Sequence, residues 1–600
     1  MDRNAIIGFV LIGIVLMAWL WMTAPPPQAP VLDKDTVGNL NQQKTKEPIE
    51  LNKTDGSERS QQTRSVEDTL GKYFSHLTKK DSKKIIIETD CYQIELSPTG
   101  GTVTSWTLKN YLTWDRHPIE LLTQNTTGDF HLLFSTSDGK IINTKYLQFE
   151  TTKNENHFKI TAEDSLKLEM RLNVTSRSKI IKTIIFYGDK YSVDVSYKFQ
   201  GMESIIANYA YQVVWESGIQ NVEQNSVDES NFAKAYALAG GELAELDAAN
   251  FNETVKDSNI SGRVNWIAVR NKYFAVAVIP RLKESKRAYL EGTRTHLPDE
   301  GAKEKYFMAL EMPFGGNAYE EDRYTVFAGP LNFEEVKKYN VELDRIMSLG
   351  AAWLIRPISE YAIIPLFKFL KMFIPNFGII LIIFSLIIKV VLHPLTKTSM
   401  KSMQKMQSLQ PMMEEIREKY KDDPQKMNQQ VMRLYKEYGV NPAGGCLPML
   451  LQLPILYALW AVFSSAIELR QASFVWWISD LSIPDMILRL PFRIPIFNID
   501  EISGLALLMG VTMFGQQKMS VKDPRQKMMV WMMPILLTLM FNSFPAGLNL
   551  YYFVFNLLSI GQQAWINKKH KNEPLRKIEQ KKSTGWISKL AKDLPMKKKR

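Results

Sequence analysis

The sequence predicts an α-helical polytopic membrane protein with six transmembrane helices that also carries an all-β domain. Three observations lead there. Residues 5–22 form an uncharged apolar run of 18 residues, close to the length that crosses a bilayer core. From about 84 the texture changes to strands: Tyr191, Val193, Val195, Tyr197 and Phe199 alternate with Ser192, Asp194, Ser196 and Lys198, the period of a half-buried strand. Beyond 351 further uncharged runs follow at 372–388, 439–467, 502–517 and 528–567. The last holds 40 residues, and Pro545, Ala546 and Gly547 divide it into two helices joined by a tight turn.

Composition narrows the class. Cys91 and Cys446 are the two cysteines of 600 residues, which excludes a disulfide scaffold and a Cys-rich zinc module. The net charge is +11, but residues 568–600 carry 13 Lys and Arg against 3 acids, so this tail holds +10 and the other 567 residues +1. That pattern is a basic tail, not a spread nucleic-acid-binding surface.

In chain order, residues 1–24 read as an uncleaved transmembrane anchor. Cleavage after Ala24 would put bulky Met22 at a small-residue position and Pro25 just past the cut. Residues 25–83, rich in Pro, Gln, Thr and Lys, read as a flexible linker. Residues 84–335 form the β domain, a sandwich. Within it, 180–187 precede the alternating strand across Gly188 and Asp189, a hairpin signal. Ser97 to Gly101 turns a second pair, 92–96 and 102–108. Residues 351–375 mix apolar positions with Arg356, Glu360, Lys368 and Lys371, as an interfacial amphipathic helix does. The core, 376–567, holds spans at about 377–395, 446–466, 502–517, 528–543 and 548–566. A helical hairpin, 396–440, separates the first two of these, and the basic tail 568–600 follows.

Basic loops orient the spans. Lys518, Lys522, Arg525 and Lys527 lie between the fourth and fifth spans, and nine Lys and Arg from Lys397 to Lys436 lie between the second and third. The opposite loop, 468–501, has three Arg against five acids. Six spans put every basic region on the cytoplasmic side with both termini, and the β domain outside. In the hairpin, Met427, Val431, Leu434 and Tyr438 form a 4-3-4 seam. Asp423 and Pro424 supply a cap and a first-turn proline. Met403, Met406, Gln410, Met413 and Tyr420 form a looser matching seam, kinked at Pro411. This hairpin is either a spacer or a docking arm.

Polar residues inside the spans carry the functional signal. Ser385, Lys389 and His393 recur every fourth residue, on one helix face. Asn549, Tyr552, Asn556, Ser559 and Gln563 stripe the sixth span at 3-4-3-4, and Gln452, Thr512 and Gln516 add shorter patches. A lysine at mid-bilayer costs about 2.5–3.5 kcal/mol on insertion scales. Lys389 therefore either snorkels to the nearby cytoplasmic surface or faces a hydrated groove. The stripe either glues helices together or lines that groove. No Asp or Glu lies inside a span, which argues against a proton-coupled transporter. Seventeen of the 27 Met residues fall between Met400 and Met540, a texture that suits varied apolar partners. No metalloprotease, nucleophile-elbow or Walker motif occurs, so no catalytic residue, metal or cofactor is expected.

Several stretches resemble a known family. They are Asn441-Pro442-Ala443-Gly444-Gly445-Cys446-Leu447-Pro448 with Gln452-Leu453-Pro454-Ile455, His393-Pro394-Leu395-Thr396, Glu468-Leu469-Arg470-Gln471-Ala472, Met509-Gly510-Val511-Thr512-Met513-Phe514 and Phe544-Pro545-Ala546-Gly547-Leu548. Together they resemble the YidC/Oxa/Alb insertase family of the long Gram-negative type. The resemblance implies a five-helix insertase core around a hydrophilic groove, and a periplasmic β-supersandwich similar to galactose mutarotases. It implies a non-enzymatic insertase and chaperone of the bacterial inner membrane, working alone or with the Sec translocon. Its partners would be nascent membrane proteins, lipids, and the ribosome and translocon through 396–440 and 568–600. The groove basic residue falls on Lys389, where Arg is usual, which keeps the charge and loses the guanidinium fork. Ser385 and Tyr552 match further groove positions, and Gln452, Thr512, Gln516 and Asn556 complete the expected groove. Rival readings are a solute transporter and a membrane-tethered sugar-binding or sugar-modifying protein.

Overall fold

The computed structural model describes residues 69–77, 83–122, 128–298, 301–351, 353–440, 447–494, 497, 499–520 and 527–569. The expected anchor 1–24, most of the linker 25–83, the motif residues 441–446 and the tail beyond 569 lie outside the described residues. The chain divides into two compact units at Met347–Ser348.

The first unit is built almost wholly of β-sheet. A five-stranded sheet runs Pro118–Leu122, Thr102–Leu112, Tyr92–Ser97, Ile85–Glu88, His157–Lys159, and a larger sheet contains 14 strands. Both expected hairpins form. Lys179–Tyr187 pairs antiparallel with Ser192–Gln200, and Tyr92–Ser97 pairs with Thr102–Leu112 around Gly100 and Gly101, both at positive φ. Ser192–Gln200 also pairs with Tyr319–Pro330, which places it in the sheet interior. Ile94, Leu96, Val103 and Trp106 of the small sheet line one interior space with Ile184, Phe186, Val193, Val195 and Val326 of the large one. The alternation in the sequence has this cause, since each strand puts every second side chain into that layer. Full burial of such side chains contributes roughly 1.5–3 kcal/mol each.

The second unit is helical. Its helices are α1 (Phe377–Val391), α2 (His393–Ser408), α3 (Gln410–Lys419), α4 (Pro424–Tyr438), α5 (Leu447–Ser465), α6 (Gly504–Ser520), α7 (Lys527–Phe541) and α8 (Ala546–Lys569). Ahead of them, the segment expected as one interfacial helix is α-helical at Ile355–Ile358, π-helical at Ser359–Ile363 and α-helical again at Ile364–Lys371. Asn376 caps α1 by accepting the Ile379 N–H at 3.1 Å. That helix stops at Val391, short of the expected 395, because Pro394 belongs to the first turn of α2. No single helix among the described residues is long and apolar enough to cross a membrane. Phe377–Val391 and Thr396–Ser408, bent by 67°, reach that length and composition together, and Gln452–Ser465 and Val530–Phe541 are shorter apolar helices. At 1.5 Å per residue the 15 residues of α1 span only about 22 Å against a core of about 30 Å. Helix length alone therefore does not fix six spans.

The hairpin is three helices. The Asp423 carboxylate accepts the Lys426 N–H at 3.0 Å at the start of α4, and Gly439, at φ 61°, ends it. Leu409, Met413, Leu434, Tyr438 and Val440 are its buried core, with Met406, Ile416 and Val431 against it. The upper arm breaks at Leu409, with Pro411 in the first turn of α3. A β-hairpin, Met486–Ile494 with Ile499–Ser503, lies at the end of the loop 468–501, and α6 starts at Gly504 rather than at the expected 502.

Candidate functional site

The site is set by where helices begin. Asn376, which caps α1, donates its side-chain amide to the Ser473 carbonyl at 3.5 Å, and Gly378 sits where a Cβ would strike the Phe474 ring. The first amides of α8, on Ala546 and Gly547, donate to the carbonyls of Ile483 and Leu481, each at 2.9 Å. At α6, buried Asp485 accepts the Leu505 N–H at 2.8 Å, and the Asn542 side-chain oxygen Oδ1 accepts the Ser503 N–H at 2.9 Å. One loop, 473–485, thus fastens the starts of α1, α6 and α8.

From this common end, α1 and α8 run the same distance before their polar residues meet. Lys389 lies 12 residues beyond Phe377 and Ser559 13 beyond Ala546, about 18 and 20 Å along their helices. The Lys389 ammonium donates to Ser559 Oγ at 2.6 Å and stands 4.6 Å from the Phe555 ring centroid, within cation–π range. Its side chain turns inward and is buried. No carboxylate pairs with it among the described residues. Ser385, one turn earlier on the same face and fully buried, donates to the Leu381 carbonyl at 2.7 Å and reaches the Tyr551 carbonyl at 3.4 Å.

Below this pair, Asn556 Nδ2 donates to Thr512 Oγ1 at 3.5 Å, which joins α8 to α6. The Tyr552 ring packs edge-on against Phe541, 5.4 Å between centroids. Toward the far end, Gln562 Nε2 lies 3.0 Å from His393 Nδ1 and 3.3 Å from Thr396 Oγ1. Buried along α8 and without a hydrogen-bond partner among the described residues are the Tyr551 and Tyr552 hydroxyls and the side-chain carbonyl oxygens of Asn549 and Gln562. Each such atom costs about 1–3 kcal/mol when left unmade.

Of the expected groove residues, Lys389, Ser385, Thr512, Tyr552 and Asn556 therefore cluster on α1, α6 and α8. Gln452 and Gln516 are half-buried, and their side chains make no hydrogen bond among the described residues. Two contacts of Lys389 fall outside the expected set, Ser559 and Phe555. Ser559 stands in the 3-4-3-4 stripe, so its spacing carries the signal; Phe555 carries none. Among the described residues no cluster of three or more His, Cys, Asp or Glu is placed to hold a metal ion.

Comparison with known proteins covers both units. The family described as YidC periplasmic domain matches residues 84–360, and the one described as 60Kd inner membrane protein matches 369–573. The chain is 38% identical over 572 residues to the membrane protein insertase YidC of Chlorobaculum parvum, covering 94% of each. It is 39% identical over 571 residues to that of Chlorobaculum tepidum, covering 94% of this chain and 95% of the relative. A solved structure described as an active YidC insertase with the first transmembrane domain resolved aligns at 19% identity and a TM-score of 0.35, over 82% of this chain and 94% of that one. With both parts matched in order and almost the whole length shared with named insertases, the chain belongs to the YidC family of membrane protein insertases.

Proposed function

We propose that this protein moves hydrophobic segments of newly made proteins from the cytoplasmic side into the inner membrane, along a polar groove formed by α1, α6 and α8 and without nucleotide hydrolysis. The observation that carries the groove is the Lys389 ammonium, buried against one hydroxyl and one ring while four polar atoms of α8 lack partners among the described residues. An ammonium has three donors, so a client's acidic or polar flank can satisfy what the helices leave open. The client's apolar part then passes to lipid, driven by roughly 25 cal/mol per Å² buried.

The topology that serves this has six spans: the N-terminal anchor, α1, and α5 to α8. Both termini, the hairpin 396–440 and the tail 568–600 are cytoplasmic, and the β unit is periplasmic. The basic loops support that orientation. The 15-residue helices α1 and α7 fit a bilayer that thins around them. The hairpin and tail recruit the ribosome and the Sec translocon. Gln452 and Gln516 extend the groove at its margins.

Protease protection of short single-span clients, with and without acidic translocated tails, tests the role of Lys389. Lys389→Ala lowers insertion of the acidic-tailed client about tenfold, the equivalent of one interaction of about 1.4 kcal/mol. Lys389→Arg restores it, and the protein level holds throughout. Full insertion by Lys389→Ala across such clients refutes the groove charge.

A further inference from the structure

The hairpin Met486–Ile494 with Ile499–Ser503 has no part in the groove, yet it displays an apolar face. On its first strand the apolar side chains of Ile487, Leu488 and Phe492 are 49%, 58% and 63% exposed. Soluble surfaces seldom show a contiguous patch of this kind unless something binds it. The charges of the hairpin are neutralised in place: Arg493 lies 3.3 Å from Asp500, and Arg489 lies 4.0 Å from Glu501.

The patch continues onto a helix. Gly504, the first residue of α6, has Trp477 Nε1 and Ile487 Cγ2 3.0 and 3.1 Å from where a Cβ would stand. From Gly504, Leu507 and Val511 follow at three- and four-residue steps on the same face of α6, and Val511 is 68% exposed. Beside them Trp476 stacks on Trp477 with centroids 5.8 Å apart and is itself 86% exposed. The Trp477 indole N–H donates to Asp485 at 2.9 Å, and the same carboxylate caps α6. The aromatic pair and the strand are therefore fixed to the mouth of α6 rather than free to swing.

We infer that this hairpin and the Trp476–Trp477 pair form a membrane-surface foot, lying in the boundary between headgroups and acyl chains of the outer leaflet. The inference rests on the spanning of α6 proposed above. Lipid is the occupant because the face is continuous with the exposed apolar face of α6, and because tryptophans favour that boundary. With the two arginines paired internally, contact is apolar and does not depend on lipid charge.

The test uses the full chain with both native cysteines replaced by serine, a bimane label at Leu488→Cys, Phe492→Cys or Val511→Cys, and phosphatidylcholine proteoliposomes. At 488 and 492 a shallow doxyl-lipid quenches at least about twofold more than aqueous iodide, as a boundary position requires. Adding phosphatidylglycerol leaves those ratios unchanged. At 511 a deep doxyl-lipid quenches. Dominant iodide quenching at 488 and 492 overturns the foot while leaving α6 in the membrane. Protection of these sites from both quenchers also overturns it, by assigning the face to a client or a second copy. A label at 511 untouched by lipid quenchers sinks the spanning reading and the foot with it.

Discussion

Lys182 in the β unit and Lys389 in the helical unit are both buried without an ion pair among the described residues, and they are held in opposite ways. Lys182 donates to the carbonyls of Gly101 and Phe130, each at 2.7 Å, between the rings of Phe130 and Tyr197, 4.8 and 5.3 Å away. Those acceptors are backbone atoms of a closed sandwich. Lys389 has one side-chain hydroxyl and one ring, both on α8, a helix that carries four buried polar atoms without partners among the described residues. A lysine whose acceptors are built in is a structural tie. A lysine with donors to spare is a binding group.

The largest test of that contrast is stability. Lys182→Ala opens a cavity and leaves two inward carbonyls without their shared donor, costing about 3 kcal/mol. Tyr197, which also donates to the Phe130 carbonyl at 3.2 Å, limits the loss. Denaturant unfolding followed by the fluorescence of buried Trp106, Trp215 and Trp266 measures it. Lys389→Ala leaves Ser559 still bonded to the Phe555 carbonyl at 2.7 Å and shifts the thermal midpoint little. Equal losses in the two variants erase the distinction.

A second test is pH. Burial in the apolar layer pushes the Lys182 ammonium down to about 7, whereas in the unfolded chain it titrates near 10.4. Between about pH 7 and 9 the unfolded state binds the extra proton, so stability of the β unit rises with pH there; below 7 the burial penalty is fully present. Lys182→Met removes this slope relative to the parent chain, and an unchanged slope shows that Lys182 is not its source. The smallest effect is at Ser559→Ala, which takes away the one hydroxyl partner of the groove ammonium but not its charge. Insertion of acidic-tailed clients falls less than about threefold, as for a single hydrogen bond near 0.5–1 kcal/mol. A loss as large as that of Lys389→Ala makes the contact itself, rather than the charge, the working element.

Much of this was legible locally. The alternation 191–199, the turn at Gly188 and the Asp423 cap each follow from a few neighbouring residues. Lys182 shares the inward parity of Ile180, Ile184 and Phe186, all buried, so its odd position is readable. Its acceptors, 81 and 52 residues away, are not. Ser385 and Lys389 declare a common face by spacing, but their register against Ser559 depends on where a distant loop starts each helix. The uncharged run past Val391 hides a break that Pro394 imposes on the helix rather than on the hydropathy. Gln452 sits on α5, which is apolar all round, so periodicity gives it no side. The sheet in 486–503 escaped because bulges interrupt its pairing at two places.

The stitching of three helix starts to residues 473–485 has a mechanical corollary. Backbone donors and acceptors there are already engaged, so loosening one helix at that rim means breaking bonds to its neighbours. Fluctuations that demand fewer broken bonds dominate, and these lie toward the bent junction at Leu392 and the broken hairpin at Leu409. The bundle is riveted through its backbone at the rim farthest from Lys389, whereas beyond the lysine α8 meets α2 through side chains alone, Gln562 with His393 and Thr396.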